Sequence, residues 1–249
     1  MKKAPQAVAA EIVAVRYPGA RVAFLAGSVM RGEGTETSDL DLVVIFDRLP
    51  QAYRESFIFD EWPIEAFVHD PETLRYFFYE IDRISGVPSL PAMVLEGVAL
   101  PQPNALSAAL KQQAKTVIDD GPPAWGEREL QNSRYAITDL VEDMRAPRSR
   151  NELTASAAKL YTLLADHYLR SQRLWSARGK SIPRRLSAVS ADFEAAFSES
   201  FRAVFEEDNA AKLIRLCEEV LRPNGGWLFS GYKLLAPESW RKAGYRGIE

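Results

Sequence analysis

The sequence predicts an α+β chain: a sheet-bearing domain with an N-terminal helix over residues 1–103, then an all-helical bundle domain over 104–249. Two observations carry that division. Up to about residue 100 the apolar residues fall in short runs dense in branched and aromatic side chains, broken by Gly and Pro, as strands do. From Asn104 onward the runs become Ala-rich and follow the 3.6-residue period of helices, with Gly121-Pro122-Pro123 separating the first two.

The basic start MKK and the apolar stretch after it raise the question of a signal peptide. Glu11 interrupts that stretch and Arg16 ends it, so an amphipathic helix with Val8, Ile12 and Val15 on one side fits better. RVAFLAGS then reads as a strand ending in a small-residue turn, and RGEGTETS as a polar loop. The turn at Gly27-Ser28 is expected to start a helix with Val29-Met30-Arg31. LDLVVIF is the clearest strand, apolar enough to be buried on both faces. WPIEAFVH is another strand, and DPETLRYFFYEID a helix opened by Asp70 and Pro71. ISGVPSLP reads as a loop, and AMVLEGVALP as a short hairpin or bulged strand around Gly97. Helices are expected at about 105–119, 126–144, 152–176, 188–206 and 208–222. In the fourth, Phe193, Phe197, Phe201 and Phe205 form one face packed on the bundle. The Gly- and aromatic-rich tail from Pro223 is expected to fold back over it.

Composition narrows the function. Residues 1–104 carry 9 Lys/Arg against 15 Asp/Glu, and residues 105–249 carry 22 against 19, for a net charge of only -3. Such a balance does not describe a general nucleic-acid binder. No run approaches the roughly 18 uncharged apolar residues that a membrane span needs. A single cysteine, Cys217, excludes an intrachain disulfide framework and fits a reducing, cytoplasmic setting.

The chemistry gathers in the acidic half. Asp39 and Asp41 lie one residue apart at the start of a strand, so they point to the same face, while Leu40 points into the core. Glu65, on the strand WPIEAFVH, can add a third carboxylate if its strand lies beside theirs. Three such groups form a hard-oxygen set suited to Mg²⁺ or Mn²⁺. Gly27 permits close backbone approach, and Ser28 with the following amides can hold phosphate oxygens. Ser38 either bonds another phosphate oxygen or caps the turn before Asp39. Arg31 either faces a triphosphate or forms an exposed ion pair. Divalent ions between such carboxylates can stabilise the attacking and departing oxygens of a nucleotidyl transfer. Glu96, Glu129, Glu142 and Asp143 are the nearby candidates for a base, each with a surface salt-bridge reading beside it. The segment Arg170–Arg185, with six Lys/Arg and no acid, reads as a phosphate contact or as a solvated loop. His69 and His167 lie far apart and make no zinc site.

With Gly27-Ser28, Ser38-Asp39-Leu40-Asp41 and Glu65 in place, the chain resembles the nucleotidyltransferase superfamily that includes DNA polymerase beta and the aminoglycoside adenylyltransferases. The resemblance covers about residues 20–100. It implies a small mixed-sheet domain in which Asp39, Asp41 and Glu65 bind two Mg²⁺ ions and Gly27 and Ser28 contact the triphosphate. The family's third acid is often Asp, so Glu65 is a departure that keeps the ligand chemistry on a longer side chain. The helical remainder looks like the C-terminal bundle of antibiotic-modifying members, which places Lys159 in a setting similar to their triphosphate-binding lysine. The function implied is transfer of AMP from ATP to a hydroxyl of a small molecule, an aminoglycoside being the family-level guess. A protein acceptor and a non-catalytic nucleotide-binding protein are the alternatives, and RNA tailing is disfavoured.

Overall fold

The computed structural model describes residues 3–237, which form two compact units. The first comprises residues up to Pro123 together with Arg173–Ser176; the second comprises Ala124–Gln172 and the residues from Ala177 onward.

The first unit contains α1 (Pro5–Arg16), β1 (Val22–Ala26), β2 (Leu40–Ile45), β3 (Tyr53–Phe59) and β4 (Trp62–His69). These are followed by α2 (Pro71–Tyr76), a π-helical stretch (Phe77–Asp82), α3 (Arg83–Ser85), α4 (Ser89–Glu96), β5 (Val98–Leu100) and α5 (Ala105–Asp120). The five strands form one mixed sheet in the order β3-β4-β2-β1-β5, in which β2 and β4 run parallel and the other neighbours antiparallel. Alternation of side chains divides the core into two layers. Ala23, Leu25, Leu42, Val44, Ile64 and Ala66 pack against Val8, Ala9, Ile12 and Val13 of α1. Val22, Phe24, Val43 and Ile45 pack against Leu74, Phe78, Val94, Leu110 and Val117 on the other face. Covering both faces explains why β1 and the end of β2 are apolar without alternation.

Several expectations shift. Val15 is 69% exposed, because the buried stripe of α1 centres on Val8, Ala9, Ile12 and Val13 and leaves Val15 at its edge. AMVLEGVALP is not a hairpin: its first part completes α4, and only Val98–Leu100 is a strand. Gly97 allows that abrupt change, since a Cβ there would lie 2.9 Å from Phe24 Cβ and 2.5 Å from the carbonyl oxygen of Met93. The strand β3 was not expected at all. The first unit also runs through Pro123, beyond the 103/104 boundary, because Leu110, Ala114 and Val117 of α5 complete the core beside the sheet.

The second unit consists of α6 (Glu127–Arg145), α7 (Arg150–Arg170), α8 (Ile182–Val189), α9 (Ala191–Glu207) and α10 (Ala211–Leu221). The helix expected over 152–176 ends at Arg170, and Arg173–Ser176 joins the first unit. There Trp175 donates its indole N–H to the Ile118 carbonyl at 2.9 Å, and Arg173 caps the end of α5 by donating to the Asp120 carbonyl at 3.2 Å. Phe197 and Phe201 are buried against Tyr161, with ring centroids 4.8 Å away. A four-residue repeat drifts by about 40° per step on a helix of 3.6 residues per turn, so Phe205 emerges to 37% exposure at the stripe's end. Cys217 is buried, which pushes its thiol up to about 12.

The tail expectation concerns residues 223–249, of which 238–249 lie outside the described residues. The described part does return to the bundle. Arg134 on α6 donates to the carbonyls of Gly225 and Gly226 at 2.8 Å each, and Tyr232 stacks on Tyr135 at 4.0 Å. No described helix is long and apolar enough to cross a membrane.

Candidate active site

The parallel pairing of β2 with β4 brings the acids together. Asp41 stands in register with Glu65, and paired residues on neighbouring strands project to the same face. Asp39 immediately precedes β2 and contributes from the same side. Ligand oxygens of Asp39, Asp41 and Glu65 all lie within 4.8 Å of one another, and the three residues are half-buried. Leu40 is fully buried on the opposite face and anchors the strand start, as its position between the two acids predicts.

The antiparallel partner of Asp41 on β1 is Ala26, so Gly27 lies directly beside the Asp41 side chain. Gly27 has φ +88°, and a Cβ on it would fall onto Asp41 Oδ2 and 3.0 Å from Asp41 Cγ. A close approach of backbone to phosphate is one reason for glycine at this turn; room for the carboxylate is a second that only the structure supplies.

After Gly27 the chain forms a turn over Ser28–Gly32 rather than the helix expected from Val29-Met30-Arg31. The Glu33 amide donates to the Ser28 carbonyl at 2.9 Å, and Gly32, at φ +74°, turns the chain out of any helical path. The expected phosphate-binding helix start is therefore replaced by a turn. Ser38 is buried and caps the loop: its Oγ accepts from the Thr35 amide at 2.8 Å and lies 3.5 Å from Ser28 Oγ. The two serines are thus neighbours, one following Gly27 and the other preceding Asp39.

One member of the site was not expected. Arg54 on β3 forms an ion pair between its Nη2 and Glu65 Oε1, and its guanidinium lies 5.0 Å from the centre of the Phe67 ring. The signal was hidden because β3 itself was missed. Arg31 pairs with Glu33 and Glu96, each at 3.2 Å, which is the exposed ion-pair reading. That contact occupies Glu96. Glu129 accepts from the Gly126 amide as a helix cap, and Glu142 pairs with Arg145 at 3.0 Å. Lys159 is exposed on α7 of the second unit. His69 and His167 are buried, and burial pushes both imidazoles down to about 4.

The carboxylate set suits a hard cation. Asp39, Asp41 and Glu65 would hold such an ion, since one oxygen of each already lies within reach of the other two.

Residues 9–96 match the nucleotidyltransferase domain family. A nucleotidyltransferase-like protein from Exiguobacterium sibiricum 255-15, known from a crystal structure, is similar at 13% sequence identity and a TM-score of 0.42 over 89% of this chain and 76% of its own. No curated protein matches the sequence. The motif Gly27-Ser28, the paired aspartates and the mixed sheet all lie within the matched residues or directly beside them, and this segment is a domain of the nucleotidyltransferase superfamily.

Proposed function

We propose that this protein transfers a nucleoside monophosphate, AMP from ATP in the first instance, to a hydroxyl of a small molecule and releases pyrophosphate. The observation that carries the reading is the convergence of Asp39, Asp41 and Glu65 beside the Gly27-Ser28 turn. Clustering three carboxylates at the edge of a core favours compensating positive charge, of which the Arg54 guanidinium on Glu65 supplies only one. Asp39, Asp41 and Glu65 would hold Mg²⁺ or Mn²⁺. Such ions, when bound, supply positive charge to the attacking and leaving oxygens.

The rest of the chemistry belongs to the chain. The backbone after Gly27 and the hydroxyl of Ser28 bind oxygens of the triphosphate, while Ser38 fixes the loop that carries Asp39. The acceptor oxygen forms a bond to the α-phosphorus, the bond from that phosphorus to the β-phosphate oxygen breaks, and the hydroxyl proton leaves to a base or to solvent. Lys159, whose setting in the sequence resembles that of the triphosphate-binding lysine of antibiotic-modifying members, is the proposed additional cation for the triphosphate. An aminoglycoside is the first acceptor to try, since the N-terminal half carries excess acid and such a surface attracts polycations.

The test is pyrophosphate release from ATP with Mg²⁺ across aminoglycosides, other small hydroxyl compounds and protein acceptors. Asp39→Asn combined with Asp41→Asn serves as the control. Acceptor-dependent release absent from that variant supports the reading and identifies the acceptor class. Failure to bind nucleotide in any metal-dependent way would favour a non-catalytic role.

A further inference from the structure

We propose that Arg54 is a built-in counter-cation that competes with the divalent ion for Glu65, so that the site resists loading with free metal. The inference rests on the metal-binding reading of Asp39, Asp41 and Glu65 given above. Three features support it. Arg54 sits on β3 directly opposite Phe67, and Ser56 of β3 opposite Glu65, so Arg54 and Glu65 project from the same face of the sheet two positions apart. The Arg54 guanidinium contacts Glu65 Oε1 while lying over the Phe67 ring, an arrangement that holds the cation in place by both charge and ring contact. The carboxylate it holds is one of the three whose oxygens converge.

Two opposing effects decide the direction. Holding Glu65 by one oxygen restricts a side chain with one more rotatable bond than aspartate, which favours metal binding by at most a few-fold per bond. A full positive charge a few ångströms from a divalent ion opposes binding by about tenfold, even with nearly aqueous screening. Repulsion wins, so the guanidinium disfavours a free ion. A triphosphate, by contrast, brings negative charge that offsets the repulsion and offers the guanidinium another partner. Loading therefore favours the metal–nucleotide complex over the bare ion.

The test is Mn²⁺ binding to the full chain without nucleotide, followed by electron paramagnetic resonance. Arg54→Gln is expected to bind Mn²⁺ about tenfold tighter than the wild type, with Arg54→Lys between the two. The gain should shrink in a Glu65→Gln background, which a general change of surface charge would not produce. Asp41→Asn is expected to weaken binding strongly in every background. Unchanged or weaker binding by Arg54→Gln, with Asp41→Asn still disruptive, overturns the role of Arg54 and leaves the carboxylate site standing. Mn²⁺ binding indifferent to Asp41→Asn overturns both.

Discussion

Asp41 Oδ2 occupies the space in which a side chain on residue 27 would begin. Gly27 is therefore coupled to the chemistry through Asp41 as well as through its own backbone. Gly27→Ala should displace that carboxylate and reduce turnover by about 100-fold, the usual consequence of misplacing a reacting group by about an ångström. The positive φ adds a fold cost of about 1–3 kcal/mol. Because both changes act on one carboxylate, Gly27→Ala should do little further harm to activity in an Asp41→Asn background. Kinetics of the two single variants and the double variant check this directly.

Buried imidazoles set an acid limit on stability. His167 is fully buried, with Ser133 Oγ 2.9 Å from its Nδ1, and burial holds it near 4 against an ordinary value of 6.5. Between those values the unfolded chain binds a proton that the folded chain does not. Stability is thus complete above about pH 6.5 and declines as pH falls toward 4. His69 acts in the same sense. Thermal midpoints measured across that range should fall on acidification, and His167→Gln should flatten the slope even where it lowers the plateau.

Arg134 ties the returning tail to α6. Its donors to Gly225 and Gly226 are charge-assisted, so Arg134→Gln should cost about 1–3 kcal/mol in urea unfolding. The same variant should become open to proteolysis between Gly225 and Tyr232 at concentrations that leave the wild type intact.

If Lys159 serves the triphosphate, Lys159→Ala should raise the KM for ATP by about tenfold and leave the KM for the acceptor nearly unchanged, consistent with loss of a charge-assisted phosphate contact. Equal KM values for ATP in the two proteins would remove Lys159 from the site.

The sequence revealed the acidic centre more fully than its surroundings. Asp39, Asp41 and Glu65 were readable because strand alternation fixes the face of each side chain, and β2 and β4 are apolar enough to recognise. The third strand carries a weak sequence signal for a physical reason. Its sequence, YRESFIF, lies at the sheet edge with exposed and half-buried positions alternating, so it lacks a strong apolar run. The tight hairpin joining it to β4 has positive φ at both Asp60 and Glu61, where Gly or Asn would ordinarily mark such a turn. Missing β3 concealed Arg54. Similarly, α4 and β5 read as one element in the sequence because Gly97 marks a change of element that resembles a strand bulge. The Ser28 turn differs from the expected helix because Gly32 and Gly34 follow too closely for a helix to propagate.

The most direct test of the central claim follows the label from ATP carrying ³²P at either the α or the γ position, with Mg²⁺ and the acceptor that elicits pyrophosphate release. The account predicts that α-label enters the acceptor, γ-label leaves as pyrophosphate, and neither event occurs with Asp39→Asn plus Asp41→Asn. Transfer of γ-label to the acceptor, or undiminished transfer by the double variant, would contradict it.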